Sequence, residues 1–457
     1  MNHIDQLINF IRNCPSAYHV ANSILEHLKK SGAILLEENE NWQNLLEPYR
    51  EKGGCFIIKR GAAVIAFQLP PLPLTDQLEM HLFAAHSDSP TLKIKNEEIT
   101  TVHQSALIHS EPYGGIMDQS FFDRDLSIAG QVAQKNQNGK IEMRLVDFKE
   151  AVAIIPSLAL HLQEKDQKIN REQHLRPVLW LNSKLNLELN SEFGSKLNSE
   201  KTENEEKKIK QLLSEQLGCE AKEILSYDLF LYNHQPPSLI GFKKDLLASR
   251  SLDNLSMTHA GLQGFLSSLE KGPISNRINA LAIFNHEEIG SLSDEGSTSF
   301  LFERCLRRLI KDYDADTEIK NDLVDRLFAN SLIISADVAH ALHPNYPEAH
   351  SQNHQPKMGQ GIVLKRHAFL RYATQAQGEA KIIDLLTRKK LPYQSYIGRS
   401  DKASGATIGS ILASRLGATT VDMGSAILAM HSMRELMSTQ DHLFACEAAK
   451  AFFVDEF

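Results

Sequence analysis

Ala280-Leu281-Ala282-Ile283-Phe284-Asn285-His286-Glu287-Glu288-Ile289-Gly290-Ser291 is an apolar run that ends abruptly in two adjacent carboxylates. Five apolar residues bounded by polar ones predict a short buried strand. Gly290 permits the turn that must follow. If extended backbone carries through the pair, Glu287 and Glu288 face opposite ways and need not share one task. One would suit a metal ion, the other a water molecule as general base. An isolated Glu-Glu pair, by contrast, reads as a solvated loop. The rest of the chain decides between these readings.

The same texture recurs. Leu252-Asp253 precedes a helix starting near Ser256, residues 332–336 precede Asp337, and residues 418–421 precede Asp422-Met423-Gly424. Strand, turn and helix in alternation predict an α/β layered domain around a mostly parallel central sheet. Residues 4–31 predict two helices broken at Pro15, and the runs at 55–68 and 80–85 predict strands of the same sheet. Between them, residues 93–241 carry alternating strands, such as 140–146, with many turns. They predict an inserted β-rich domain within a discontinuous catalytic domain of residues 1–92 and 242–457. Residues 191–208 are strongly polar and read as a solvated loop leading into a helix with Leu212, Leu213 and Leu217.

Composition narrows the function classes. The 457 residues allow two or three domains, and 42 % apolar with 23 % charged residues are ordinary for a globular protein. A net charge of -8, without a gathered basic patch, argues against a nucleic-acid partner. The five cysteines are scattered and form no C-x-x-C pair, which fits reduced thiols. The longest apolar runs, such as 151–155, are too short to cross a bilayer, and the first residues lack signal-peptide character. The expectation is a cytoplasmic protein with no membrane partner.

Several of the 19 His residues lie beside carboxylates at the ends of apolar runs. His86, Asp253, Glu288, Asp337 and His431 are all expected at strand ends, where sites gather in open α/β sheets. Two imidazoles and three carboxylates suit two divalent ions if one carboxylate bridges them: zinc, with manganese or cobalt as alternatives. Glu287 is placed to move a proton, and Asp88 to orient His86. Ser432 and Glu435 have capping-box spacing and predict a helix just after His431. Each residue alone also has a structural reading, as a hydrogen-bonded histidine or an N-cap aspartate.

The strings His86-Ser-Asp-Ser-Pro90, Tyr113-Gly-Gly115, Phe122-Asp-Arg-Asp-Leu126, Leu252-Asp-Asn-Leu255 and His286-Glu-Glu-Ile-Gly-Ser291 recur in family order with Ser335-Ala-Asp-Val-Ala-His-Ala341, Gly405-Ala-Thr-Ile-Gly409 and Met430-His-Ser-Met-Arg-Glu435. This chain resembles the aspartyl aminopeptidase family of dinuclear zinc exopeptidases. The resemblance implies one ion on His86, Asp253 and Asp337 and another on Asp253, Glu288 and His431. It also implies Glu287 as general base and Asp88 as the orienting carboxylate. Peptides with an acidic N-terminal residue would be the substrates, met by Lys365 and Tyr372. His161, in the insertion, would reach a neighbouring subunit's site, so that the insertion serves oligomerisation within a tetrahedral homododecamer. Ser251, Ser400 and Ser410 stand where the family usually has Arg, Asn and Pro. None of the three is a ligand or the base. A broader peptidase or deacylase, or an inactive assembly, are the alternative functions.

Overall fold

A computed structural model describes residues 2–182, 208–314 and 320–455. The chain divides into two compact units, Met1–Ser89 with Pro237–Phe457, and Pro90–Pro236. The boundaries fall at Pro90 and at the Pro236-Pro237 pair, a few residues before the expected 93 and 242. Proline cannot donate to a strand ladder, and it breaks the chain at both crossings.

The first unit is built on a nine-stranded sheet in the order Ile34–Leu35, Gly54–Arg60, Ala63–Leu69, Arg277–Phe284, Glu79–His86, Leu332–Ala336, Thr419–Gly424, Ile362–Arg366 and Tyr393–Ile397. The three central steps between Arg277–Phe284 and Thr419–Gly424 are parallel, as are both outermost pairs. The sheet is therefore mainly parallel, as the alternation predicts. Its central strands are buried on both faces, which is why they read as continuous apolar runs.

Alternation along those strands divides the core. Met80, Leu82, Ala84, Ala280, Ala282 and Phe284 face the helices Leu301–Tyr313 and Ile408–Leu416. The opposite face carries Leu252–Lys271 and Thr439–Val454, which lie so close that a Cβ on Gly264 would sit 2.6 Å from the backbone carbon of Ala449. Gly264→Ala is therefore expected to overpack this contact and to lower stability by about 1–3 kcal/mol. Equilibrium urea unfolding reads this, and an unchanged midpoint would show that the helices can part freely.

A second, five-stranded sheet lies in the same unit: Ser238–Ile240, Leu246–Ser249, Glu435–Ser438, Ala426–Leu428 and Ala339–His340. Its strands are too short to announce themselves in the sequence. The second unit holds a six-stranded sheet, antiparallel at every pairing, and the expected helix appears as Ile209–Leu217. The polar run 191–208 lies outside the described residues except at Lys208.

Candidate metal centre

The predicted donors converge. Glu79–His86 ends in His86, and the neighbouring strand Arg277–Phe284 pairs Phe284 with His86. That register brings Glu287 and Glu288 to the same edge. Leu332–Ala336 delivers Asp337, and the small sheet delivers the other two donors. Asp253 follows Leu246–Ser249, and His431 lies in the loop joining Ala426–Leu428 to Glu435–Ser438.

Two corrections follow. Glu287 and Glu288 are not on extended backbone but on a short 3-10 turn, Glu287–Ile289, entered through a left-handed His286 and left through Gly290 at φ 96°. Both carboxylates consequently come within reach of His86 rather than facing opposite ways. No helix opens after His431 either: Glu435 begins a strand, and the helix starts at Thr439. Glu435 carries capping-box spacing but accepts hydrogen bonds from the backbone N–H of Asp253 at 3.1 Å and of His431 at 2.8 Å.

Asp253 lies between the two imidazoles. His86 Nε2 is 3.5 Å from Asp253 Oδ1 and 3.8 Å from Asp337 Oδ1. His431 Nε2 is 3.4 Å from Asp253 Oδ2 and 3.5 Å from Glu288 Oε2. One carboxylate thus turns one oxygen toward each histidine. The Glu287 carboxylate comes nearly as close, its Oε2 4.0 Å from His86 Nε2, and with His86 and Glu288 it makes a further group of donor types.

These spacings fit donors that share a cation. Two atoms each about 2.1 Å from one tetrahedral ion lie about 3.4 Å apart. Asp253 Oδ1 and Glu288 Oε1 are buried and accept no hydrogen bond from the described residues, as expected of oxygens reserved for a ligand. His86 Nδ1 lies 3.1 Å from the Asp88 carbonyl oxygen, a contact in which the ring donates. That leaves Nε2 to face the carboxylates. Asp88 also accepts from the N–H groups of Glu287 and Glu288, at 3.2 and 3.1 Å, and so fixes the turn that carries both.

Electrostatics point the same way. Burial pushes Glu287 up to about 8; His86 opposes the shift, while Asp337, Asp88 and Asp253 reinforce it. Burial, with Asp253 beside it, holds Glu288 well above the usual carboxylate range. Burial disfavours a charged His86, but Asp253, Asp337 and Asp88 outweigh it and raise the imidazole well above its ordinary value. The cluster holds more buried negative charge than its imidazoles balance.

His259, His442 and Cys446 form a second buried group of donor types, with a different geometry. His259 Nδ1 and His442 Nε2 are 3.0 Å apart, in a direct hydrogen bond. Burial pushes His442 down to about 3 and the Cys446 thiol up. This is a neutral, hydrogen-bonded core contact between two helices.

Lys365 is not a solvated lysine. It is 2 % exposed, and its Nζ donates to Asp337 Oδ2 and to the Val338 carbonyl, both at 3.1 Å. Burial opposes its charge, yet Asp337, Tyr372 and Asp422 keep its pKa raised. The ammonium lies 5.1 Å from the Tyr372 ring centre, and Tyr372 packs near Tyr396. His340, whose ring lies 6.0 Å from that of Tyr396, joins this group, although the sequence assigns it no role. Its only signal is a place three residues after Asp337. His161 belongs to the second unit, on the exposed 3-10 turn Leu160–Leu162.

Residues 10–453 match the family model described as aminopeptidase I zinc metalloprotease (M18). The chain is 35 % identical over 455 residues to a probable M18 family aminopeptidase 2 of Stutzerimonas stutzeri, covering 98 % of this chain and 97 % of that one. It is 32 % identical to a probable aspartyl aminopeptidase of Ricinus communis, covering 98 % and 94 % respectively. Among solved structures, the S. cerevisiae mApe1 dodecamer is similar with a TM-score of 0.82 and 28 % identity, over 98 % of this chain and 95 % of that one.

Proposed function

The chain belongs to the aminopeptidase I zinc metalloprotease (M18) family, and on that premise we propose that it removes Asp or Glu from peptide N-termini, using two divalent ions per subunit. The observation that carries the two-ion reading is Asp253, with one oxygen turned to His86 and the other to His431. His86, Asp253 and Asp337 would hold one ion, and Asp253, Glu288 and His431 the other. Zinc is the family's metal, and the donor set suits it, with manganese or cobalt as alternatives. Such ions, when bound, polarise a scissile carbonyl and lower the pKa of water.

The chain's own groups do the rest. Glu287, beside the donors but outside both triads, takes a proton from the attacking water and passes it to the leaving amine. Asp88 keeps that carboxylate in place through the two backbone N–H groups and holds His86 in one orientation. Lys365 uses two of its three N–H groups on Asp337 and Val338. The third would meet an acidic substrate side chain, with Tyr372 and His340 alongside.

In the neutral variant Lys365→Met, which keeps the stem's bulk, kcat/KM on N-terminal Asp peptides is expected to fall roughly 10–100-fold, the worth of one charged hydrogen bond. The loss on Leu peptides should be smaller. A uniform loss across a panel of N-terminal residues would limit Lys365 to holding Asp337. Equal wild-type rates on Leu and Asp peptides would instead favour a broad aminopeptidase.

The family relationship also supports a homo-oligomer, proposed here as a tetrahedral dodecamer with His161 serving a neighbouring subunit. Leu160 and Leu162, on either side of His161, are 78 % and 70 % exposed, as an unpartnered contact surface would be. A cytoplasmic setting is proposed from the five free cysteines. No helix among the described residues is long and apolar enough to cross a membrane.

A further inference from the structure

Glu435 is 2 % exposed and lies against the candidate centre without belonging to either triad. Its two oxygens divide between two chain segments far apart in sequence. Oε2 accepts from Asp253 N and Oε1 from His431 N. The side chains of those same two residues approach within 3.4 Å.

Neither segment is held by regular structure at this point. Asp253 has non-helical torsions at the start of its helix and follows Ser251 at φ 55°. His431 has φ 66°, two residues after Ala429 at φ 56°. Left-handed backbone at residues other than glycine needs outside support. The small sheet puts Glu435 where it can supply that support. Ser249 pairs with Glu435 in register, and Leu436 pairs with both Ala248 and Leu428. Glu435 therefore stands at the mouth of the loop carrying His431, opposite the strand that leads to Asp253. A neutral cap could satisfy one of the two N–H groups; a carboxylate satisfies both and ties them together.

We propose that Glu435 is a positioning residue that sets the spacing between Asp253 and His431, and thereby the affinity for the ion those two share with Glu288. This rests on the two-ion reading above. Glu435→Gln keeps the volume but turns an NH2 group toward one backbone N–H. Glu435→Asp shortens the reach so that only one N–H can be met.

The test is calorimetric titration of zinc into the full-length, metal-stripped protein, alongside its thermal unfolding without metal. In both variants one of the two ions is expected to bind roughly 10–100-fold more weakly, the usual cost of losing a group that orients ligands. The other should change far less, and the metal-free unfolding temperature should fall by only a few degrees, as the loss of one buried hydrogen bond implies. Two ions bound with wild-type affinity, or equal weakening of both, would overturn the role. A wild-type protein that takes up fewer than two ions overturns the two-ion reading, and this role with it.

Discussion

Glu287→Gln is expected to keep both ions and the oligomeric state while its kcat on an aspartyl peptide falls by roughly 10²–10⁴, the range that general-base catalysis contributes. The carboxylate is 4.0 Å from His86 Nε2 and belongs to neither proposed triad, so its loss should leave metal uptake intact. Glutamine matches its shape and can still accept a hydrogen bond, but it cannot take a proton. The backbone N–H of Glu287 that Asp88 receives survives the change. Steady-state kinetics with metal analysis on the same preparation checks both halves. Wild-type turnover would remove Glu287 from the chemistry, and lost metal would make it a ligand.

Asp253→Asn should act in the opposite way, on the ions themselves. Asp253 offers one oxygen to each triad, and the amide offers one oxygen and no charge. His86 and His431 hold this carboxyl below the usual range, although burial works against its charge. Both ions are expected to weaken by more than the roughly 10–100-fold typical of an outer partner, with activity lost in parallel. His431→Ala should cost mainly one ion. Elemental analysis after gel filtration separates the two variants, and two retained ions in Asp253→Asn would end the bridging assignment.

Much of this was readable from residues. His86, Glu288 and Asp337 follow apolar strands of the mainly parallel sheet, and such strands announce themselves because both faces are buried. Other features left weaker signals. Glu435 has the spacing of a helix cap, and the same spacing serves a hairpin whose first strand residue reaches back to the loop. Lysine is almost always solvated, and nothing local in Ile362–Arg366 distinguishes Lys365 until Asp337 is seen beside it. The small sheet that aligns Asp253, His340 and His431 has strands of only two to four residues. Periodicity has no purchase on so few positions. Its pairings are set by tertiary register instead.

That small sheet has a consequence for the chain while it is being made. The donors run from His86 to His431, and the strand that aligns the last of them ends at Ser438. A nascent chain that stops short of His431 would therefore carry four of the five proposed donors, and the proposed base, without the fifth. On the proposed ligand set, peptide cleavage would have to await synthesis of the last donor and of the strand that aligns it.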